Sequence, residues 1–301
     1  MEHTVFYIIV NPIAGAGKTE TAIPLIERVM RREDKPYALI RTEKPYDIDR
    51  ITSMIDFSHA DAIICAGGDG TIQEYASLAV GRDIKYGVIP TGSANDLLYS
   101  IPGARVKFRS FEEKITYYTQ RIIDGAIAPI DAISLNGERY FLNIAGTGID
   151  AQVVHDALPM KKYFGSAAYF ISLAKNAVTY KTEEMVIYVD GVRESDEFLL
   201  LAVSNGSYYG GNLRVSPPAV VDDGKITLCI VRKMPKLKLA ALFPAVKPGW
   251  HTGFKEVSYV NCDNVTIEYT GKKTINIDGN LCELESPLFF EIKKGAVKFI
   301  V

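Results

Sequence analysis

The chain has 301 residues, 48% hydrophobic and 23% charged, the composition of a globular protein long enough to bury its own core. Two domains are expected at that length. A formal net charge of -2 excludes a polybasic nucleic-acid binder, so any attraction to phosphate or anionic lipid must come from a local patch.

Strand and helix signals alternate through the first 124 residues. Residues 4–10 are β-branched and aromatic, and Asn11-Pro12 with two glycines then breaks the run. The pattern predicts a helix over 19–32, a strand over 37–41 and a helix over 47–57. It continues with strands at 61–66 and 86–89 around a helix at 71–80. This order, with short continuous apolar strands, predicts an α/β domain with a parallel sheet covered on both faces. Ligands of such sheets bind beyond the carboxyl ends of the strands, where the glycine-rich segments fall. After Gly125 strand signals dominate, at 130–135, 140–144, 185–189, 198–204, 225–231, 257–260, 265–269 and 274–277. Turn dipeptides such as Asn136-Gly137, Asp190-Gly191 and Asp223-Gly224 punctuate them, and one helical stretch at 165–179 interrupts. A mostly antiparallel, β-sandwich-like second domain is expected, with final strand signals at 288–292 and 297–301.

Cys65, Cys229, Cys262 and Cys282 show no metal-ligand spacing and read as reduced, buried thiols. The apolar run at 5–10 is too short for a signal peptide, and no stretch reaches the roughly 18 apolar residues of a membrane helix. A cytoplasmic location is expected.

Three loops follow predicted strands. The first runs from Asn11 through Gly15 and Gly17 to Lys18 and Thr19. It fails the Walker A pattern, because Pro12 stands where a glycine is needed and offers no N–H to a phosphate. It also fails the Rossmann pattern at Glu20. It remains a glycine-rich lead into a helix N-terminus, which suits anions. The second loop is Gly67-Gly68-Asp69-Gly70-Thr71. Its glycines let backbone N–H groups approach a phosphate, and a carboxylate among them points to Mg²⁺. Thr71 is expected to cap the next helix and Glu74 to face the same pocket. The third loop, Pro90 to Asp96, offers Ser93 as a helix cap with Asn95 and Asp96 in the first turn.

Asn-Pro-x-x-Gly, then Gly-Gly-Asp-Gly-Thr-x-x-Glu, then Pro-x-Gly-Ser-x-Asn-Asp, in this order, resembles the catalytic domain of diacylglycerol kinases, sphingosine kinases and bacterial lipid kinases. The second half is similar too, at Asp131, residues 140–143, the run Gly146-x-Gly148-x-Asp150-Ala151, Asp222-Asp223-Gly224 and Asp278-Gly279. The resemblance implies an ATP-binding α/β domain over 1–124, with residues from about 289 to 301 returning to it. It implies a β-rich lipid domain over 125–288 and an active site in the cleft between them. It implies that Gly67, Gly68, Gly70 and Thr71 hold ATP phosphates with Asn11, Gly15, Lys18, Glu74, Gly92, Ser93 and Asn95. Asp69 and Asp96 would organise Mg²⁺, Asp223 would be a structural metal ligand, and Asp278 would be the general base toward a lipid hydroxyl. Read without the family, Asp278-Gly279 is a hairpin turn. One departure stands out: the family's glutamate two residues after the base is Asn280, which cannot share a proton. Glu283 or Glu285 are candidate substitutes.

Residues 224–255 contain seven basic residues and no acidic one, with apolar Leu237 and Trp250 among them, which suits peripheral contact with a membrane. A solvated helix packed on the β domain is equally compatible, and so is a core or acyl-cleft role for the aromatics of 163–180. A homodimer stays open. NAD kinases and phosphofructokinases share a Gly-Gly-Asp-Gly loop but not the other two, and a homologue without turnover is the remaining rival.

Overall fold

The computed structural model describes residues 4–164 and 167–301. The strands are β1 Val5–Val10, β2 Tyr37–Arg41, β3 Ala60–Gly67, β4 Lys85–Pro90, β5 Ile127–Leu135, β6 Arg139–Phe141, β7 Ile144–Gly148 and β8 Glu183–Val189. They continue as β9 Val192–Ser204, β10 Ile226–Arg232, β11 Val257–Cys262, β12 Asn264–Glu268, β13 Lys272–Ile277, β14 Asn280–Glu285 and β15 Leu288–Ile300. The helices are α1 Lys18–Arg32, α2 Ile48–Ser53, α3 Asp69–Ala76, α4 Leu97–Ser100, α5 Phe111–Asp124, α6 Ile149–Phe164, α7 Ala167–Thr179 and α8 Lys236–Val246. The chain divides into two compact units, residues up to Ala132 with Gly295–Val301, and Ile133–Lys294. The divisions expected near 124 and 289 lie a few residues away, because β5 and β15 each begin in one unit and end in the other.

The first unit is a parallel sheet in the order β2–β1–β3–β4, with the end of β15 beside β4. The chain steps from β1 outward to β2 and then back across to β3, which makes the β1/β3 boundary a topological switch point. Continuous apolar runs build these strands because both faces are covered: Ile8, Ile9, Val10, Ile63, Ile64 and Cys65 are essentially inaccessible. Helix α1 buries Ala22, Ile23, Ile26, Val29 and Met30, one helical stripe. Asp131 ties the returning strand down, its carboxylate accepting the Gly295 N–H at 2.7 Å.

The second unit is an antiparallel sheet along the path β14–β13–β7–β9–β8–β12–β15, with β10 pairing β9 and β11, and β5 pairing β6. Strand alternation feeds two cores. Phe198, Leu201 and Val203 of β9 and Ile226, Leu228 and Ile230 of β10 point into the sandwich with Phe141 and Phe290. Leu199, Ala202, Cys229 and Val231, on the other face, pack with Ile149, Val153, Leu239 and Leu242 of the helices. That is why these antiparallel strands read as unbroken apolar runs.

The expected strand at 140–144 is two strands, because the chain turns at 142–143. The expected helix at 165–179 begins on residues outside the described set, and its described part is α7. Helices α5 and α6 and strand β14 have no counterpart among the expectations. All four thiols are free, and burial pushes those of Cys229 and Cys262 up to about 12. Among the described residues, no helix is long and apolar enough to cross a membrane.

Candidate active site

The three loops meet at the carboxyl ends of β1, β3 and β4. The Gly67 carbonyl is the hub: it accepts the N–H groups of Thr91 (3.1 Å) and Gly92 (3.0 Å) and the Asn95 amide (3.1 Å). The loops touch backbone to backbone, since a Cβ on Gly92 would lie 2.4 Å from the Gly68 Cα, and one on Gly15 would lie 2.1 Å from the Thr91 carbonyl oxygen. Asn11 donates its side-chain amide to Thr71 Oγ1 at 2.9 Å, and the hydroxyls of Thr19 and Thr91 lie 2.6 Å apart. The Thr19–Thr91 link was not among the sequence expectations. Its only signal is a threonine on each of two loops whose neighbourhood depends on strand order.

Asp69 holds the third loop in place. Its carboxylate accepts the N–H of Asn95 (2.8 Å) and of Asp96 (2.5 Å). Burial pushes its carboxyl above the ordinary carboxylate range, against the pull of these N–H groups. Helix α3 starts at Asp69 with extended Gly68 as its cap residue, so its first-turn N–H groups point back toward the loops.

Several expected details differ. Thr71 is no cap, because the helix begins two residues before it; its hydroxyl serves Asn11. Ser93 is exposed and four residues ahead of α4, whose cap position belongs to Asp96. Glu74 is turned to the β2–α2 connection, where it accepts the Asp47 N–H at 2.8 Å. Lys18 is exposed at the start of α1 and, after burial, is the second cause that lowers the pKa of half-buried Lys114.

In the second unit Asp278 and Gly279 form the two-residue turn between β13 and β14, both at positive φ (47° and 93°). Such turns match the strand twist and favour Asp-Gly. The Asp278 carboxylate folds back on the β6–β7 connection and accepts the N–H groups of Leu142 (3.3 Å), Asn143 (3.1 Å) and Ile144 (2.5 Å). Asn280 pairs with Ile277 directly across the turn. Glu283 and Glu285 lie farther along β14, opposite Thr274 and Lys272, and Glu285 is paired with Lys272 at 3.3 Å. Asp223 is exposed before β10, where it accepts the Lys225 N–H at 2.9 Å. Among the described residues, no three His, Cys, Asp or Glu side chains are grouped to hold a metal.

A parallel sheet with three interlocked glycine loops, followed by an antiparallel sandwich, defines a two-part kinase architecture. Residues 5–135 match the diacylglycerol kinase catalytic domain, and residues 143–301 match the YegS C-terminal NAD kinase beta sandwich-like domain. The chain belongs to this family of lipid kinases. It is 29% identical over 222 residues to a diacylglycerol kinase of Bacillus subtilis, covering 73% of this chain and 71% of that one. A diacylglycerol kinase of Mycobacterium tuberculosis is 27% identical over 265 residues, 87% of this chain and 84% of the relative. The crystal structure of a diacylglycerol kinase from Bacillus anthracis strain Sterne superposes with a TM-score of 0.77 at 25% identity, over 99% of this chain and 96% of that one.

Proposed function

We propose that the protein transfers the γ-phosphate of ATP to the hydroxyl of a lipid alcohol such as diacylglycerol. The observation that carries this reading is the interlocking of the three loops at the start of α3, the third bonded to the Gly67 carbonyl and the first joined to the other two through Asn11–Thr71 and Thr19–Thr91. Backbone N–H groups at a helix start favour phosphate, and phosphoryl transfer asks a protein mainly for positioning and charge neutralisation. Gly67, Gly68, Gly70 and Thr71 would line the phosphates, with Asn11, Gly15, Lys18, Gly92 and Asn95 around them. Glu74 and exposed Ser93 would contribute indirectly.

Asp69 and Asp96 would hold Mg²⁺: the two residues adjoin, the Asp69 carboxylate accepting the Asp96 N–H, and Mg²⁺ characteristically keeps waters and few protein ligands. When bound, it would neutralise charge on the phosphates. Asp223 would hold a separate, structural metal. Asp278 would accept the proton of the lipid hydroxyl while that oxygen bonds to the γ-phosphorus and the bond to the leaving ADP breaks. No phospho-enzyme forms.

Contact with a membrane rests on Leu237, 86% exposed, and Trp250, 75% exposed. The basic segment is less free than its sequence suggests: Lys225, Arg232, Lys233 and Lys238 are each ion-paired with acids. That leaves Lys247, Lys255 and Lys236, the last of which donates to the Val178 carbonyl, to meet anionic headgroups.

One observation favours a homologue that binds without turnover: three N–H groups already occupy Asp278, and Asn280 carries no charge. Transfer of label from γ-labelled ATP to diacylglycerol in mixed micelles separates the readings, with NAD as control acceptor. Labelled lipid is expected, lost in Asp69→Ala and cut roughly 100-fold or more in Asp278→Asn with ATP affinity intact. ATP binding with no labelled lipid supports the inactive homologue, and label on NAD alone overturns the lipid acceptor.

A further inference from the structure

The antiparallel sandwich has no need of a buried carboxylate, yet Asp150 is one. It sits in the first turn of α6, and its Oδ1 is inaccessible and has no hydrogen-bond partner among the described residues. Its Oδ2 accepts the Tyr209 hydroxyl at 2.5 Å. The Tyr209 oxygen in turn accepts from the Asn276 amide, and Asn276 Oδ1 accepts the N–H of Gly279 at 3.1 Å. Gly279 is the second residue of the turn that carries Asp278. Space for the carboxylate is reserved, since a Cβ on Gly146 would lie 2.1 Å from Asp150 Oδ2.

We propose that Asp150, Tyr209 and Asn276 are positioning residues whose hydrogen-bond chain sets the Asp278 turn for proton transfer, an inference that rests on Asp278 being the base. The chain has one direction. An ionised Asp150 can only accept, so Tyr209 must donate to it and its oxygen is left to accept from Asn276. The Asn276 amide is thereby oriented with its oxygen toward Gly279. A neutral carboxyl can donate instead; Tyr209 then has a proton to spare, Asn276 can turn over, and the Gly279 N–H faces an N–H.

Burial pushes the Asp150 carboxyl up to about 6, against hydrogen bonds from Tyr209, from the N–H groups of Ala151 and Asp150, and from the Asn276 amide. The groups around it are Tyr209, Asp278 beyond Asn276, and Tyr180, whose phenol is pushed up to about 12 by burial and then by the Asp150 charge. With a raised folded-state pKa, Asp150 adds stability below its ordinary value of 3.8, and the contribution is lost as pH rises through about 6. At alkaline pH its charge therefore costs stability, so a loss of activity on removing that charge is not a loss of fold.

The test is steady-state kinetics of the full chain on diacylglycerol in mixed micelles, for wild type, Tyr209→Phe, Asp150→Asn and Asp278→Asn, with melting temperatures. Tyr209→Phe should lower kcat roughly tenfold or more while KM for ATP stays within about twofold. Asp150→Asn should melt no lower than wild type at alkaline pH and should lose the decline in kcat expected of wild type as pH falls through about 6. Wild-type kcat in Tyr209→Phe, or an unchanged acid limb in Asp150→Asn, overturns the relay. Wild-type turnover in Asp278→Asn overturns the base assignment instead, and an inactive Asp278→Asn beside a fully active Tyr209→Phe overturns the relay alone.

Discussion

Gly92 has no room for a side chain. A methyl there would press on the Gly68 Cα at 2.4 Å, which is backbone and cannot swing aside, with the Asn95 amide 3.2 Å away. Gly92→Ala should therefore part the second and third loops and loosen the bonds on the Gly67 carbonyl. The expected outcome is a loss of roughly tenfold or more in ATP affinity by calorimetry, with denaturant stability lowered by about 1–3 kcal/mol. Gly17→Ala is the control: it has open space but a φ of 87°, so only backbone strain of about 1 kcal/mol is expected. The glycines and carboxylates of this cluster were legible in the sequence, because tight loops after apolar strands demand them. Their cross-links were not. That Asp69 binds the N–H groups of the third loop, and that Glu74 serves Asp47, depends on which strands are neighbours, and strand order is written in no local signal.

At the scale of elements, α5 shows how a segment with clear signals can pass unexpected between stronger motifs. Ser110 Oγ accepts the Glu113 N–H at 3.0 Å, Glu113 returns a bond to the Arg109 N–H at 2.8 Å, and Gly125 closes the helix at φ 67°. Ile115, Tyr118, Thr119 and Ile122 form its buried stripe. Ser110→Ala should cost about 1 kcal/mol in chemical unfolding, with KM for ATP unchanged. Strand β14 was hidden for the opposite reason. Its residues 280–285 alternate weakly and are only half-buried, and only the Asp278-Gly279 turn hints that a partner for β13 follows. The parallel sheet was the most legible part, since strands covered on both faces are short apolar runs that no helix stripe imitates.

For the whole molecule, the exposed Leu237 and Trp250 predict interfacial binding. Replacing both, Leu237→Glu with Trp250→Ala, should weaken sedimentation with vesicles containing anionic lipid severalfold. Phosphorylation of a short-chain, monomeric lipid should be unchanged; equal vesicle binding by the double variant would remove the surface from the account. Strand β15 has a different consequence, one of timing. Its first residues pair with β12, and Lys298 and Phe299 lie against Lys85 and Tyr86 of β4. During synthesis the ribosome delivers β1 to β4 early, but the strand that covers the edge of β4 comes last. The nascent first unit therefore waits with an unpaired edge until the second unit has been made, and an open edge is where chains aggregate. A stalled or prematurely terminated chain should accordingly be a substrate for chaperones and proteases rather than a working half-enzyme.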